Sequence, residues 1–553
     1  MTNGSVLEKE WIFHKIDEKQ IQSLSLISEL DYIFCKILNC KKIASENIKD
    51  YLSPKIKEML PNPYIFKDMN QGIENIYKHI EQNNKICIYG DYDVDGASST
   101  AILSKYLKSL NISHEIYIPD RIKDGYGPNK KVFEKLISNN NKLIITLDCG
   151  TLAFDPILFA KTNNIDTIII DHHKSIEILP NANAVINPNR FDESGEYSYL
   201  CAAGLSFIFL VALNKFLREK KYFHINKTIE PNLLNYLDLV MIGTVCDVVP
   251  LVDLNRAFVK QGLKVFSERQ NLGLKTLSDI SEIDHKCTSK DIGFTIGPKI
   301  NAAGRLSDMS IGIQCLIEDN EKKALSFAMQ LDELNKKRRE IEGITRGEAM
   351  NLVANEKLDD ESLGVILFKK NWHQGVIGLG ANKVKDLLTK PTIAFGYHDE
   401  NHKILKGSGR SINGLHLRDV LERVSMRTPN LIINFGGHAM AAGMTIYEEQ
   451  LDEFKVAFNK ALREFSDKSI YSPILHTDGK IDLMEINIEL VSEVKNTIWG
   501  QSFEPPIFHD EFTIHEKKIL KEKHLKLTVS QSSKRESFNK YEAIWFDAPK
   551  ITT

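Results

Sequence analysis

The sequence predicts an α/β fold built around a doubly wound parallel sheet, and three observations carry that expectation. Four short apolar runs, KICIYG (85–90), HEIYI (114–118), KLIITL (142–147) and DTIIID (166–171), have the length and composition of strands covered on both faces. Segments with helical spacing separate them, beginning with ASSTAILSKYLKSL (97–110). Acidic residues stand directly after several of the runs, at the strand ends where ligands of such sheets gather.

In chain order, residues 1–60 read as a helical N-terminal extension, followed by the loop-like break PNPYIFKDM (61–69). The βα alternation fills 61–318. Residues 319–358 contain no proline and many charges, which suits a connecting helix that Gly343 could interrupt. A second α/β unit, 359–467, opens with LGVILF (363–368). From 468 to 553, short alternating stretches such as FHDEFTIH and HLKLTVSQ predict a small β module. Within it, 516–540 holds eight Lys or Arg, Lys517, Lys518, Lys521, Lys523 and Lys526 among them, against three Glu.

Composition narrows the class. The chain has 553 residues, 42% apolar and 26% charged, which excludes a disordered or collagen-like protein. There is no apolar run of the roughly 18 residues that a membrane span needs, and MTNGSVLEKEWIF lacks the form of a signal peptide. A cytoplasmic protein without membrane contact is therefore expected. Eight cysteines, all before residue 316 and none in a CxxC pair, argue against a disulfide scaffold or a zinc ribbon. With 71 Lys plus Arg against 74 Asp plus Glu, the molecule as a whole has no cationic field. A basic groove can still be masked by acids gathered at a metal site.

Four clusters carry chemistry. Gly90-Asp91-Tyr92-Asp93-Val94-Asp95-Gly96 follows the first run, Asp148-Cys149-Gly150 the third and Asp171-His172-His173 the fourth. Asp247 lies within VMIGTVCDVVPL, again after a run that reads as strand-like. Carboxylates converging at adjacent strand ends repel one another, and burying them unpaired costs several kcal/mol each. A divalent cation reverses that cost. Oxygen donors with one or two imidazoles suit Mg²⁺ or Mn²⁺. Two such ions about 3.5–4 Å apart suit the in-line displacement of a phosphoryl group. Each cluster alone has a plainer reading: DxD as a turn or cap, HH as a core or surface pair, Asp148 and Asp247 as helix caps. Their joint occurrence within one α/β unit favours the metal.

GDYDVDG, LDCG, DHH and CDVVPL, in that order, resemble the four motifs of the DHH phosphoesterase superfamily. KGSGRSINGLHL (406–417) and GGHAMAAG (436–443) resemble its associated domain. GPKINAAGRLSDM (297–309) and WGQSFEPPIF (499–508) resemble the bacterial single-strand-specific exonucleases of the superfamily, and the likeness runs from about residue 60 to 550.

The resemblance implies a DHH catalytic domain (61–318), a DHH-associated substrate-binding domain (359–467) and a C-terminal β-barrel, an OB-fold-like nucleic-acid-binding module (468–553). It makes Asp91, Asp93, Asp148, His172 and Asp247 the ligands of two Mg²⁺ or Mn²⁺ ions, with Asp148 bridging. His173 would contact the scissile phosphate or a metal, while Asp95 and Asp171 would orient the ligands. Arg121 and Tyr126 would line the DNA entrance, Tyr126 stacking on a base. Read from the residues themselves, Ser408 and Arg410 complete a phosphate clamp with Gly437 and His438, and Arg305 is a similar candidate or else a structural ion pair. Gly436 and Gly437 also have a reading of their own, as a backbone anion site or as a tight turn before an Ala-rich helix. The implied activity is 5′→3′ digestion of single-stranded DNA to mononucleotides in repair and recombination, by a monomer working with a single-strand-binding protein and a helicase. Two rivals are a phosphodiesterase for short RNA or cyclic dinucleotides and a non-catalytic replication scaffold.

Overall fold

In the computed structural model the apolar runs become one parallel sheet because helices shield both of its faces. The structure describes residues 9–14, 16–28, 30–121, 123–283, 286–355, 362–437, 439–465, 468–521, 524–532, 539–546 and 548. The chain divides into two compact units: Ser53–Ser472 with Ile498–Phe503, and Met1–Leu52 with Pro473–Thr497 and Glu504–Thr553.

The sheet of the larger unit has five parallel strands, Ile86–Gly90, His114–Tyr117, Leu143–Leu147, Asp166–Ile170 and Ala184–Ile186. Counted along the chain, their order in space is 2-1-3-4-5. Alternate residues face opposite ways. Ile86, Ile88, Ile145 and Ile168 join the core with the helices Val94–Ser109 and Ala202–Glu219. Cys87, Tyr89, Ile144 and Ile169 pack instead with Lys130–Ser138 and Phe154–Thr162. The chain leaves the first strand toward one side and reaches the third on the other. A crevice opens above that reversal, at the carboxyl ends of the strands.

Two local expectations change. The run before Asp247 is a helix, Leu237–Cys246, and no strand. It is buried from Leu237 through Thr244, so apolar residues surround it and no period distinguishes it from a covered strand. It lies against Val94–Ser109 at Gly243, where a Cβ would come within 2.6 Å of Asp95 Oδ1 and 3.4 Å of the Ser98 Cβ. Ala441–Tyr447 is likewise a strand, where the sequence also allows an Ala-rich helix; it pairs antiparallel with both Asn434–Gly437 and Ile404–Arg410.

Glu321–Asn355 is one helix of 35 residues, unbroken at Gly343. The second sheet follows, with Val365–Phe368 parallel to Thr392–Asp399 and the remaining pairings antiparallel. Leu417–Arg427 and Leu451–Phe465 cover one of its faces, Ile377–Leu388 the other.

In the smaller unit, Glu10–Phe13 pairs in parallel with Ile474–Thr477. Phe512–Leu520, His524–Gln531 and Tyr541–Trp545 form an antiparallel meander. The N-terminal segment therefore shares a unit with the C-terminal module instead of standing apart as 1–60, and residues 498–503 leave the module for the larger unit. A long-range ladder between chain ends leaves no local signal in sequence.

Candidate metal centre

Each acidic group is held at the end of a strand or a helix. Asp91 follows Ile86–Gly90, its N–H donating to Leu147 O at 3.2 Å. Asp93 caps the helix Val94–Ser109, its Oδ1 accepting from the Asp95 and Gly96 N–H groups at 3.0 and 3.1 Å. The turn there is tight: a Cβ on Gly96 would come within 2.6 Å of Asp91 O. Asp148 ends the third strand in the left-handed region, φ 63°, which turns its carboxylate into the crevice. Asp171 ends the fourth strand and fixes the two histidines after it. Its Oδ1 accepts from the His172 and His173 N–H groups at 2.8 and 3.1 Å and from His173 Nδ1 at 2.7 Å, and its Oδ2 from Thr151 N–H at 3.0 Å. Asp247 caps the C-terminus of Leu237–Cys246.

Three sets of side chains converge, each with donor atoms within 4.8 Å of one another: Asp91, Asp93 and Asp148; Asp148, His172 and His173; Asp95, His172 and Asp247. His172 Nε2 lies 3.2 Å from Asp148 Oδ1 and 3.5 Å from Asp247 Oδ2. Asp91 Oδ1, Asp148 Oδ1 and His172 Nε2 are buried without a hydrogen-bond partner. Burial, then repulsion from Asp93, pushes Asp91 and Asp148 well above the usual carboxylate range. The same causes bring Asp247 up to about 8. Burial and the neighbouring His173 lower His172, leaving it the neutral imidazole that coordination requires. Crowded oxygens, one neutral imidazole and orphaned buried donors fit a pair of hard divalent cations.

The flanking groups have separate tasks. Asp95 accepts Ala202 and Ala203 N–H at 2.7 and 2.9 Å, so both its oxygens tie down a neighbouring helix start, while Oδ2 stays 4.0 Å from His172 Nε2. Burial opposes ionisation of Asp171, but His173 and its other donors hold it below the usual range. Asp171 in turn overcomes burial to raise His173 to about 9.

Opposite the acids stands a basic cluster. The Arg121 guanidinium lies 4.3 Å from the Tyr92 ring centroid. Arg305 Nη1 donates to Gly375 O at 3.1 Å, and burial, Arg121, Arg410 and Arg338 together bring its pKa down to about 9. Arg410 donates to Ser408 Oγ at 3.1 Å and to Gly409 O at 2.8 Å, and burial and Arg121 lower it to about 10. Gly378 leaves room for it, since a Cβ there would meet Arg410 Nη2 and Ser408 Oγ at 2.6 Å. Gly437, φ 137°, pairs with Ala442, which in turn faces Gly409 across the next ladder. Half-buried like charges gathered in this way call for an anion. Tyr126 is 55% exposed, yet its hydroxyl donates to Asp148 O at 3.2 Å and meets His173 Nδ1 at 3.2 Å.

The chain is similar to known proteins over most of its length. The DHH family, N-terminal domain, matches residues 85–244, the DHHA1 domain 360–464 and the RecJ OB domain 477–552. The single-stranded-DNA-specific exonuclease RecJ of Haemophilus influenzae is 38% identical over 492 residues, 88% of this chain and 84% of that protein. The chain belongs to the RecJ family. The RecJ of Escherichia coli is 36% identical over 86% of this chain and 83% of its own length. A crystal structure of RecJ from Thermus thermophilus in complex with Mn²⁺ shares the fold, with a TM-score of 0.79 at 22% identity over 96% of this chain and 74% of that one. A second structure, of exonuclease RecJ bound to manganese, gives a TM-score of 0.62 at 25% identity over 77% of this chain and 99% of that one.

Of the residues expected at a RecJ-type site, the structure draws the acids, His172 and His173 together and gathers Arg121, Arg305 and Arg410 beside one another. His438 and Lys523 lie outside the described residues. Sequence reasoning missed Lys406, lowered by burial and Arg121, and Arg338 on the long helix. It also missed Asn187 and Asn189, whose amides donate to His173 O at 2.8 Å and His172 O at 2.5 Å. These two follow the apolar strand Ala184–Ile186, so the rule applied to the other strand ends would have found them.

Proposed function

We propose that the protein is a metal-dependent exonuclease that digests single-stranded DNA in the 5′→3′ direction and releases mononucleotides. The observation that carries this reading is the trio of buried, unpartnered donors on Asp91, Asp148 and His172 facing one another above the sheet. Asp91, Asp93, Asp148, His172 and Asp247 would hold two Mn²⁺ or Mg²⁺ ions, Asp148 being shared by two of the three converging sets. Such ions, when bound, supply an activated water and neutralise charge on the attacked phosphate. The chain does the rest. His173, kept protonated beside Asp171, donates to a phosphate oxygen. Arg121, Arg305, Arg410 and Ser408 bind the strand's terminal or adjacent phosphate, and the exposed face of Tyr126 stacks on a base.

The names of the relatives support single-stranded DNA as substrate, and the OB-type match supports a further contact with the strand. A cytoplasmic monomer receiving unwound ends from a helicase and a single-strand-binding protein completes the reading. Among the described residues no helix is long and apolar enough to cross a membrane. The scaffold alternative loses ground because every ligand position is filled. The short-RNA alternative loses ground because an OB-type module follows the second α/β unit. Digesting strands labelled at the 5′ or the 3′ end in one Mn²⁺ time course tests the polarity. Immediate release of the 5′ label with slow release of the 3′ label is expected, and the reverse order refutes the direction.

A further inference from the structure

The motif around Trp499 is not explained by catalysis or by strand binding, and its place in the fold is unusual. The chain leaves the smaller unit at Thr497, contributes Ile498–Phe503 to the larger one, and returns at Glu504. Those residues form a tight loop, Gly500 and Phe503 exchanging backbone hydrogen bonds at 3.0 Å, with the Trp499 and Phe503 rings stacked 4.8 Å apart. The loop is clamped onto the segment beyond Asp247. Leu251 N–H donates to Gln501 O at 3.0 Å. Arg256 is 2% exposed; its Nη1 donates to Ile498 O at 3.0 Å and Leu251 O at 3.3 Å, and its guanidinium lies 4.9 Å from the Phe503 ring centroid. Gly500 fits because it has no Cβ, which would come within 2.4 Å of Leu251 Cδ1.

The stretch between Asp247 and Leu251 needs such an anchor. Val248 is β-branched and sits at φ 61°, a conformation that costs about 1–3 kcal/mol and persists only when its surroundings impose it. One end is fixed by the helix, Asp247 N–H donating to Gly243 O at 2.9 Å. The other is fixed by Asn255, whose amide donates to Pro250 O at 2.9 Å, and by the 498–503 loop. The same loop accepts from Ser289 Oγ at Trp499 O, 2.9 Å, just ahead of the π-helical turn Ile292–Ile296. That turn leads into the helix bearing Arg305, whose first residue, Gly297, abuts Cys246.

We infer that the 498–503 loop, locked by Arg256, is a positioning device that holds the strained Asp247–Val248 joint and thereby the carboxylate of Asp247 in its metal-binding pose. This rests on the metal-centre reading above. Arg256 touches neither substrate nor ion; it acts through Leu251 and the loop.

The test uses the full chain, with Mn²⁺ binding followed by electron paramagnetic resonance in the absence of DNA. Arg256→Gln and Gly500→Ala are each expected to weaken Mn²⁺ affinity about 10-fold or more, the size of loss seen when support behind a metal ligand is removed. Turnover at saturating Mn²⁺ should return to within about twofold of wild type, and Arg256→Lys should fall between. Melting in EDTA identifies the folded variants. Wild-type Mn²⁺ affinity in either folded variant overturns the inference. Should Arg256→Gln not fold, Gly500→Ala decides alone, since it removes no buried charge. A wild-type protein that binds no Mn²⁺ refutes the metal-centre reading itself, a different failure.

Discussion

The two ends of the parallel sheet carry acids of opposite character. At its amino end Asp166 opens the fourth strand with every oxygen occupied. It accepts from Asn75, Lys78 and His79 at 2.8, 2.9 and 2.9 Å, and from Asn183 at 3.1 Å. Burial opposes ionisation there, yet these donors hold Asp166 down to about 2. At the carboxyl end Asp91 and Asp148 have unpartnered oxygens and are pushed up. One end completes its own charges and serves the fold. The other is incomplete without a cation, and that incompleteness is the mark of a site. The basic cluster repeats the lesson with the sign reversed.

Substitutions break the comparison most sharply at the carboxyl end. Asp148→Ala should reduce turnover by at least about 1,000-fold, because Asp148 belongs to two of the three converging sets. Its melting temperature in EDTA should stay level or rise, since a repelling buried carboxylate is gone. Nuclease assays paired with thermal melts check both halves. Arg410→Ala should weaken single-strand affinity about 10- to 100-fold, the worth of one or two charge-assisted hydrogen bonds, while leaving Mn²⁺ binding intact. Fluorescence anisotropy at several salt concentrations measures it.

Metal addition sharpens the contrast further. Mn²⁺ at 100 times its dissociation constant should stabilise the wild-type fold by about 2.7 kcal/mol, and Asp148→Ala should lose most of that gain while Asp166→Asn keeps it. The smallest effect belongs to the amino end and to acid. Burial lowers the pKa of His79, whose Nδ1 accepts from Asn84 while Nε2–H donates to Asp166. A depressed folded pKa means that the unfolded chain takes the proton first, so this stability is complete above the usual histidine value and falls as pH drops below it. The Asp166 contribution is lost lower still, toward about 2. Denaturation of His79→Gln between pH 7 and 5 should show a flatter acid slope than wild type.

Much of this contrast could be read in the sequence, for a physical reason. Covered parallel strands are short apolar runs, and their ends place the next side chains in one crevice, so Asp91, Asp148 and His172 announced themselves by position. Asp247 was found as well, although its run is a helix, because burial on all sides erases the period that separates helix from strand. The basic side was harder. Arg338 and Lys406 come from a long helix and from the second sheet, and only the fold brings Arg338 to Arg305 and Lys406 to Arg121. Pairing of Glu10–Phe13 with Ile474–Thr477 was beyond any local pattern. The 498–503 loop also changes how truncations should be designed. Removing everything after residue 470 would take away this anchor together with the OB-type module, so a deletion that tests strand binding must keep Ile498–Phe503.

The most direct test of the central claim is the release of mononucleotides from a uniformly labelled single strand, measured with Mn²⁺, with EDTA, and with Asp148→Ala in Mn²⁺. Release in the first case and none in the other two is the expected result. An intact strand in the first case, or equal release in all three, would contradict it.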